Sequence, residues 1–162
     1  MAIPPFLLEL RSLVGNRPLW LSAVCAVVVD DRERVLLARR VDDGRWASVG
    51  GILDPGEQPA DGVVRECLEE TGVVVVPELL ASVTVTGPVT YPNGDVTQYL
   101  VLTFRCRAVG GEARVNDDES LEVGWFALDG LPPMLDFEHE RLRHALQCSG
   151  PAVFSRAGKE YP

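Results

Sequence analysis

Residues 51–73, GILDPGEQPADGVVRECLEETGV, are the stretch around which the chain is organised. They predict one helix, with Glu57 ahead of it, Asp54-Pro55-Gly56 as a turn and Thr71-Gly72 as a C-terminal stop. An α-helix turns once in about 3.6 residues, so side chains three and four positions apart share a face. Glu66, Glu69 and Glu70 are therefore expected to project together, with Arg65 at their side. Three carboxylates on one face repel one another, and a divalent cation is the natural counter-charge. A solvated acidic surface is the plainer reading of such a face. Val63, Val64, Cys67 and Leu68 form the opposite face and are expected to be buried.

Taken with its flanks, the stretch reads G-x5-E-x7-R-E-U-x-E-E-x-G-U, with U apolar. At every fixed position it resembles the Nudix box of the MutT-like diphosphate hydrolases. Cys67 stands where that family usually has an aliphatic residue, and a small buried hydrophobe fits there. Val49 stands where many members have proline before the glycine pair Gly50-Gly51. The resemblance implies an α/β fold, the Nudix α/β/α sandwich, with a mixed β-sheet between helices. It implies a hydrolase domain over residues 19–150, an N-terminal extension over 1–18 and a C-terminal tail over 151–162.

The chemistry so implied is metal-dependent hydrolysis of the diphosphate linkage in a nucleoside diphosphate joined to another moiety. Attack of water on phosphorus needs charge neutralised on the phosphate oxygens and a polarised water, and Mg²⁺, or Mn²⁺, can supply both. In the family, the pair matching Glu69 and Glu70 binds metal, often with the backbone carbonyl of the glycine matching Gly51. Glu66 is then a third ligand or the general base. Arg65, grouped with the catalytic residues, can brace the loop by pairing with Glu57, a use that suits a bidentate arginine. Glu119, in the acidic loop at residues 116–119, is expected as a further ligand or base; Asp118 and Glu122 are alternatives, and a solvated loop is the plain reading.

Substrate contacts are expected from Arg39, Arg40, Trp46 and Tyr91. The two arginines end a strand aimed at the glycine pair and could meet a phosphate or simply face water. Trp46 could stack on a base or belong to the core. Pro88 and Tyr91 fall where the family carries markers of ADP-ribose hydrolases and of dinucleoside polyphosphate hydrolases, respectively. Both also have a plain turn explanation. The expected substrate is ADP-ribose-like or a nucleoside triphosphate. A non-catalytic nucleotide-sensing module of the same fold is the alternative. His139 and His144, five apart on the last helix, read as surface residues.

Bulk properties agree with this reading. The length of 162 residues suits one domain with a sizeable core, and 46% hydrophobic residues argue against disorder. A net charge of −9 disfavours a duplex nucleic-acid binder, which needs a basic stripe. The expected partner is an anionic nucleotide, with no duplex nucleic acid and no membrane; a homodimer is compatible with this. Cys25, Cys67 and Cys106 sit in apolar patterns without CxxC spacing, which reads as reduced core thiols and a cytoplasmic setting. Residues 4–14 predict a proline-started helix, 20–29 a buried strand, 96–108 a long strand and 137–147 a final helix with Phe137, Leu142, Ala145 and Leu146 on its apolar side. The residues from Ser149 onward show few packing signals and are expected to be loose.

Overall fold

A computed structural model describes residues 3–161; Met1 and Ala2 of the expected extension and Pro162 of the expected tail lie outside the described residues. Their order is α1 (Pro5–Val14), β1 (Leu19–Val29), β2 (Val35–Arg40), β3 (Trp46–Ala47), β4 (Val49–Ile52), α2 (Pro59–Thr71), β5 (Val73–Val85), β6 (Val89–Thr90), β7 (Val96–Gly111), β8 (Ser120–Phe126), α3 (Asp136–Gln147), β9 (Val153–Arg156) and β10 (Lys159–Tyr161). The strands make one mixed sheet in the order β10-β9-β5-β7-β1-β2-β3, with β4 on β1, β6 on β7 and β8 on β2. Strand β1 runs parallel to β7 and antiparallel to β2 and β4.

The β-branched run of β1 is apolar on both sides because it lies between two helical layers. Alternate side chains of a strand point to opposite faces. Val24, Ala26 and Val28 pack with Val63 and Cys67 of α2, while Val27 packs with Leu142 and Ala145 of α3. Val24, Val28, Val63 and Cys67 are at most 2% exposed. Burying a valine-sized side chain contributes roughly 1.5–3 kcal/mol, so this central layer anchors the site helix.

Helix α2 starts with Pro59, whose fixed φ suits a first turn, and stops at Gly72, where φ is 69° and the N–H bonds to the Leu68 carbonyl at 3.0 Å. Its buried stripe differs from the expected one. Val63, Cys67, Glu70 and Thr71 are buried, whereas Leu68 is exposed and Val64 half-buried. The stripe follows the i, i+4, i+7, i+8 line, which leaves Leu68 on the outer side.

Two other expectations change, at Phe137 and in the tail. Strand β5 runs through Pro77, with shifts of register on either side. Proline lacks an N–H to give the ladder, and an irregularity there is the usual accommodation. Phe137 is exposed, with the Arg141 guanidinium 4.9 Å above its ring. The expected loose tail instead folds into the β9–β10 hairpin, and β9 adds to the sheet in parallel with β5 at Ser82 and Val83. Helix α1 packs too: Leu7 is buried with Leu21 and Ile52, and Phe6, Leu10 and Tyr99 close the cluster.

All four cysteines are free, and Cys25, Cys67 and Cys106 are buried as expected. Burial pushes the Cys25 and Cys106 thiols up to about 12, so both stay protonated. Among the described residues no helix is long and apolar enough to cross a membrane.

Candidate functional site

The acidic helix meets strand β4 at Gly51. The Glu66 carboxylate lies so close to this glycine that a Cβ there would stand 2.2 Å from Glu66 Oε1. Any side chain at position 51 would require the Glu66 carboxylate to move. Gly50 is constrained from the other strand, since its Cβ would fall 2.3 Å from the Val24 carbonyl oxygen. The pair thus lets the helix carboxylate and β1 approach the same backbone.

Arg65 organises the acidic side. Its Nε and Nη2 donate to the two Glu57 oxygens at 2.8 and 2.9 Å, and its Nη1 donates to Glu66 at 2.8 Å and to Glu69 at 3.1 Å. Glu57 also accepts the Asp54 N–H at 3.1 Å, so the turn before the helix is tied to the helix itself. The Arg65 guanidinium holds the Glu57 carboxyl below its ordinary value. Glu66 moves the other way. Burial pushes its carboxyl up to about 7, although Arg65 pulls it down.

Glu69 and Glu70 do not project together. Consecutive helix residues point about 100° apart, so Glu69 faces outward, its side chain 58% exposed, while Glu70 is 9% exposed and faces inward with Glu66. No described residue gives the Glu70 carboxylate a hydrogen bond or an ion pair. Burial raises its pKa well above the ordinary value, with Glu66, Asp117 and Glu119 adding repulsion and Arg40 opposing it. Among the described residues, no three His, Cys, Asp or Glu side chains stand ready-grouped around a cation position. The donor chemistry nevertheless fits one. Carboxylates are the hard oxygen donors that Mg²⁺ and Mn²⁺ take, and a buried carboxylate without a partner is one that a cation would satisfy.

The acidic loop is fastened over this inner side. Arg114 N and Asn116 N donate to the Thr71 and Glu70 carbonyls at 3.0 and 3.2 Å, Asn116 Nδ2 donates to the Leu68 carbonyl at 3.0 Å, and Val41 N donates to the Glu119 carbonyl at 2.9 Å. Asp117 and Glu119 are half-buried, whereas Asp118 is exposed. Glu122 is engaged elsewhere, 2.7 Å from Arg39. Sequence reasoning did not single out Asp117; its effect on Glu70 depends on how the loop folds back.

A cleft of about 620 Å³ opens beside Gly50 and Gly51 on the α3 side of the sheet. Arg40, Trp46, Tyr91 and Pro88 line it, but Arg39 does not. Arg39 is committed to Glu122 and to the Gly44 carbonyl. Arg40 is locked to Asp42 by two bonds of 2.9 and 2.7 Å. Trp46 both lines the cleft and packs edge-on to Phe126, 4.8 Å between ring centres. Burial and the Tyr99 hydroxyl, 2.6 Å away, push the Tyr91 phenol up.

Helix α3 supplies a wall that the sequence did not announce. Glu138, Arg141 and His144, three residues apart in turn, line the cleft. Glu138 is 3% exposed; it accepts Arg141 Nη1 and the backbone N–H of Ser48. His144, read as a surface residue, is buried, with its Nε2 3.0 Å from Glu160 of β10. The tail hairpin covers it, and nothing in the local spacing predicts that hairpin. The opposite charges of Glu138 and Arg141 at i, i+3 were the one signal available.

Comparison with known proteins is consistent with this geometry. The NUDIX domain family model matches residues 19–146. A MutT-like protein of Streptomyces ambofaciens is 39% identical over 143 residues, covering 88% of this chain and 87% of the relative. An ADP-ribose pyrophosphatase of Methanocaldococcus jannaschii is 33% identical over 129 residues, covering 76% and 73%. An NAD-capped RNA hydrolase of Pseudomonas aeruginosa is 35% identical over 116 residues; these cover 70% of this chain but only 39% of that relative. Among solved structures, an ADP-ribose pyrophosphatase from Streptococcus suis superposes with a TM-score of 0.61 at 26% identity, covering 78% of this chain and 90% of that one.

Proposed function

The chain belongs to the Nudix hydrolase family, and from that premise we propose that it cleaves the diphosphate linkage of a nucleoside diphosphate joined to another moiety, in a metal-dependent reaction. The observation that carries this is the Glu66 carboxylate laid against Gly51 with the Glu70 carboxylate buried beside it, held by no hydrogen bond or ion pair from the described residues. Glu66, Glu69 and Glu70, with the carbonyl of Gly51, are the residues that would hold Mg²⁺ or Mn²⁺. When bound, such an ion neutralises phosphate oxygens and polarises water.

The remaining work falls to the chain's own groups. Arg65 and Glu57 hold the turn and the helix in one frame, so that Gly51 and Glu66 keep their separation. Arg40, at the edge shared by Glu70 and the cleft, meets the diphosphate oxygens. Glu66 or Glu119 takes the proton from the attacking water, since both carboxylates border the same inner space. Trp46 and Tyr91 flank the nucleoside. The cleft volume is in the range that small-molecule sites occupy. The names of two relatives point to ADP-ribose, and an ADP-ribose-like substrate or a nucleoside triphosphate is the substrate class proposed.

The test is a turnover screen of the purified protein with Mg²⁺ or Mn²⁺ against ADP-ribose, dinucleoside polyphosphates, nucleoside triphosphates and nucleotide sugars. Hydrolysis of ADP-ribose or a triphosphate, abolished by EDTA, is expected. Binding of these compounds without turnover of any would mark a nucleotide-sensing module instead.

A further inference from the structure

We propose that helix α1, which precedes the matched family region, is part of the substrate site: through Arg11 it fixes the Tyr91–Tyr99 wall of the cleft in its binding shape. This rests on the cleft being the nucleotide site proposed above. Arg11 reaches across the gap between α1 and the sheet. Its Nη1 donates to the Gly15 and Arg17 carbonyls at 3.1 and 2.7 Å, closing the C-terminal end of its own helix. Its Nη2 donates to the Val96 carbonyl at 3.0 Å and to Thr97 Oγ1 at 3.2 Å, and its Nε lies 3.3 Å from Asp95 Oδ1. One guanidinium therefore joins the helix end to the base of the β6–β7 hairpin. The Arg11 and Asp95 side chains are only 10% and 16% exposed, so this pair is screened less than a surface ion pair.

What Arg11 holds is the support of a cleft wall. The hairpin turn closes through Tyr91 N to the Asp95 carbonyl at 2.9 Å and Gly94 N to the Tyr91 carbonyl at 2.9 Å. Asn16, just past α1, adds a bond from its Nδ2 to the Asn93 carbonyl at 3.4 Å. Tyr91 stands at the start of this turn and Tyr99 on β7, and both line the cleft. Their hydroxyls bond to each other at 2.6 Å, so the rings form a linked pair. Tyr99 also packs into the α1 cluster with Leu7, Leu21 and Ile52. With one hydroxyl donating to the other, the wall offers mainly aromatic surface, suited to a flat ring such as a nucleobase. Without the clasp, the two-residue strand β6 and its turn would be held to the fold chiefly by the end of β7. The wall would then have to be ordered on each binding event, which weakens affinity without touching the hydrolytic residues.

The experiment compares wild type with Arg11→Met, which keeps the apolar stem, Arg11→Lys, and Asp95→Asn. Hydrogen exchange is measured on the free protein, and KM and kcat on ADP-ribose with Mg²⁺. In Arg11→Met, amides of residues 91–99 are expected to exchange at least tenfold faster while those of β1 stay protected. KM is expected to rise about fivefold or more with kcat within twofold, Asp95→Asn following in the same direction and Arg11→Lys recovering part of the loss. Unchanged exchange at residues 91–99 overturns the clasp. Faster exchange with an unchanged KM overturns its part in binding. If Arg11→Met does not fold, the same two readings on Asp95→Asn decide. Absence of turnover by wild type counts against the hydrolase reading; Kd for ADP then replaces KM, and its invariance likewise overturns the proposal.

Discussion

The backbone N–H of Ser48 donates to Glu138 Oε2 at 3.0 Å, joining residues 90 apart in the chain. The bond ties the approach to the glycine pair to helix α3. The same carboxylate pairs with Arg141, so one buried group holds a strand and a helix at the wall of the cleft. Glu138→Ala would leave a buried N–H and a largely buried guanidinium without their acceptor. Removing one partner of a buried ion pair costs roughly 3–5 kcal/mol. A fall in the thermal midpoint of roughly 10 °C is expected, on the scale of about 2–4 °C per kcal/mol for a domain of this size. A shift below about 2 °C would show that Glu138 is not a structural tie.

Gly51→Ala tests the contact between β4 and α2. The new Cβ would overlap the Glu66 carboxylate, so the carboxylate must move. A displacement of about 1 Å at a reacting centre can cost on the order of 100-fold in rate. Turnover should fall at least that far while the folded protein survives, as seen by circular dichroism. Wild-type kcat in Gly51→Ala would mean that the position of Glu66 is not critical.

Glu70→Gln separates stability from function. A carboxyl whose folded pKa is raised adds stability that is fully present below its unfolded value of 4.5 and is lost as pH rises through the raised folded value. The neutral amide lacks this loss. In EDTA, the variant should therefore gain on wild type as pH rises above 4.5. With Mg²⁺ added, wild type should gain stability by mass action and the variant much less. Melting curves in both conditions decide, and an equal Mg²⁺ shift in the two proteins would remove Glu70 from the proposed ligand set.

Glu57→Gln probes the brace from the acid side. Here the sign reverses: Arg65 lowers the folded pKa, so the contribution is present above the unfolded value of 4.5 and is lost as pH falls below it. Wild type should be more stable than the variant at pH 7, with the gap closing as pH falls below 4.5. Denaturant midpoints at those pH values measure it. A gap independent of pH would indicate that packing, rather than the ion pair, sets the effect.

The box helix and its glycine stop were legible in the sequence because each depends on spacing within one short stretch, and the pairing of Arg65 with Glu57 is what the Nudix resemblance implies. Local geometry is set by local residues, and α2 and its turn follow from residues 51–73 almost alone. The β-branched apolar run of residues 20–29 likewise predicted the buried strand β1. The divergence of Glu69 from Glu70 is also a property of any helix, but which of them turns inward depends on where the sheet lies. Only the tertiary structure decided that, together with the α3 wall, the burial of His144 under β10 and the Arg11 clasp on the hairpin. Each joins elements distant in sequence, and burial and partner choice there are properties of the assembled sheet and helices that no local period encodes.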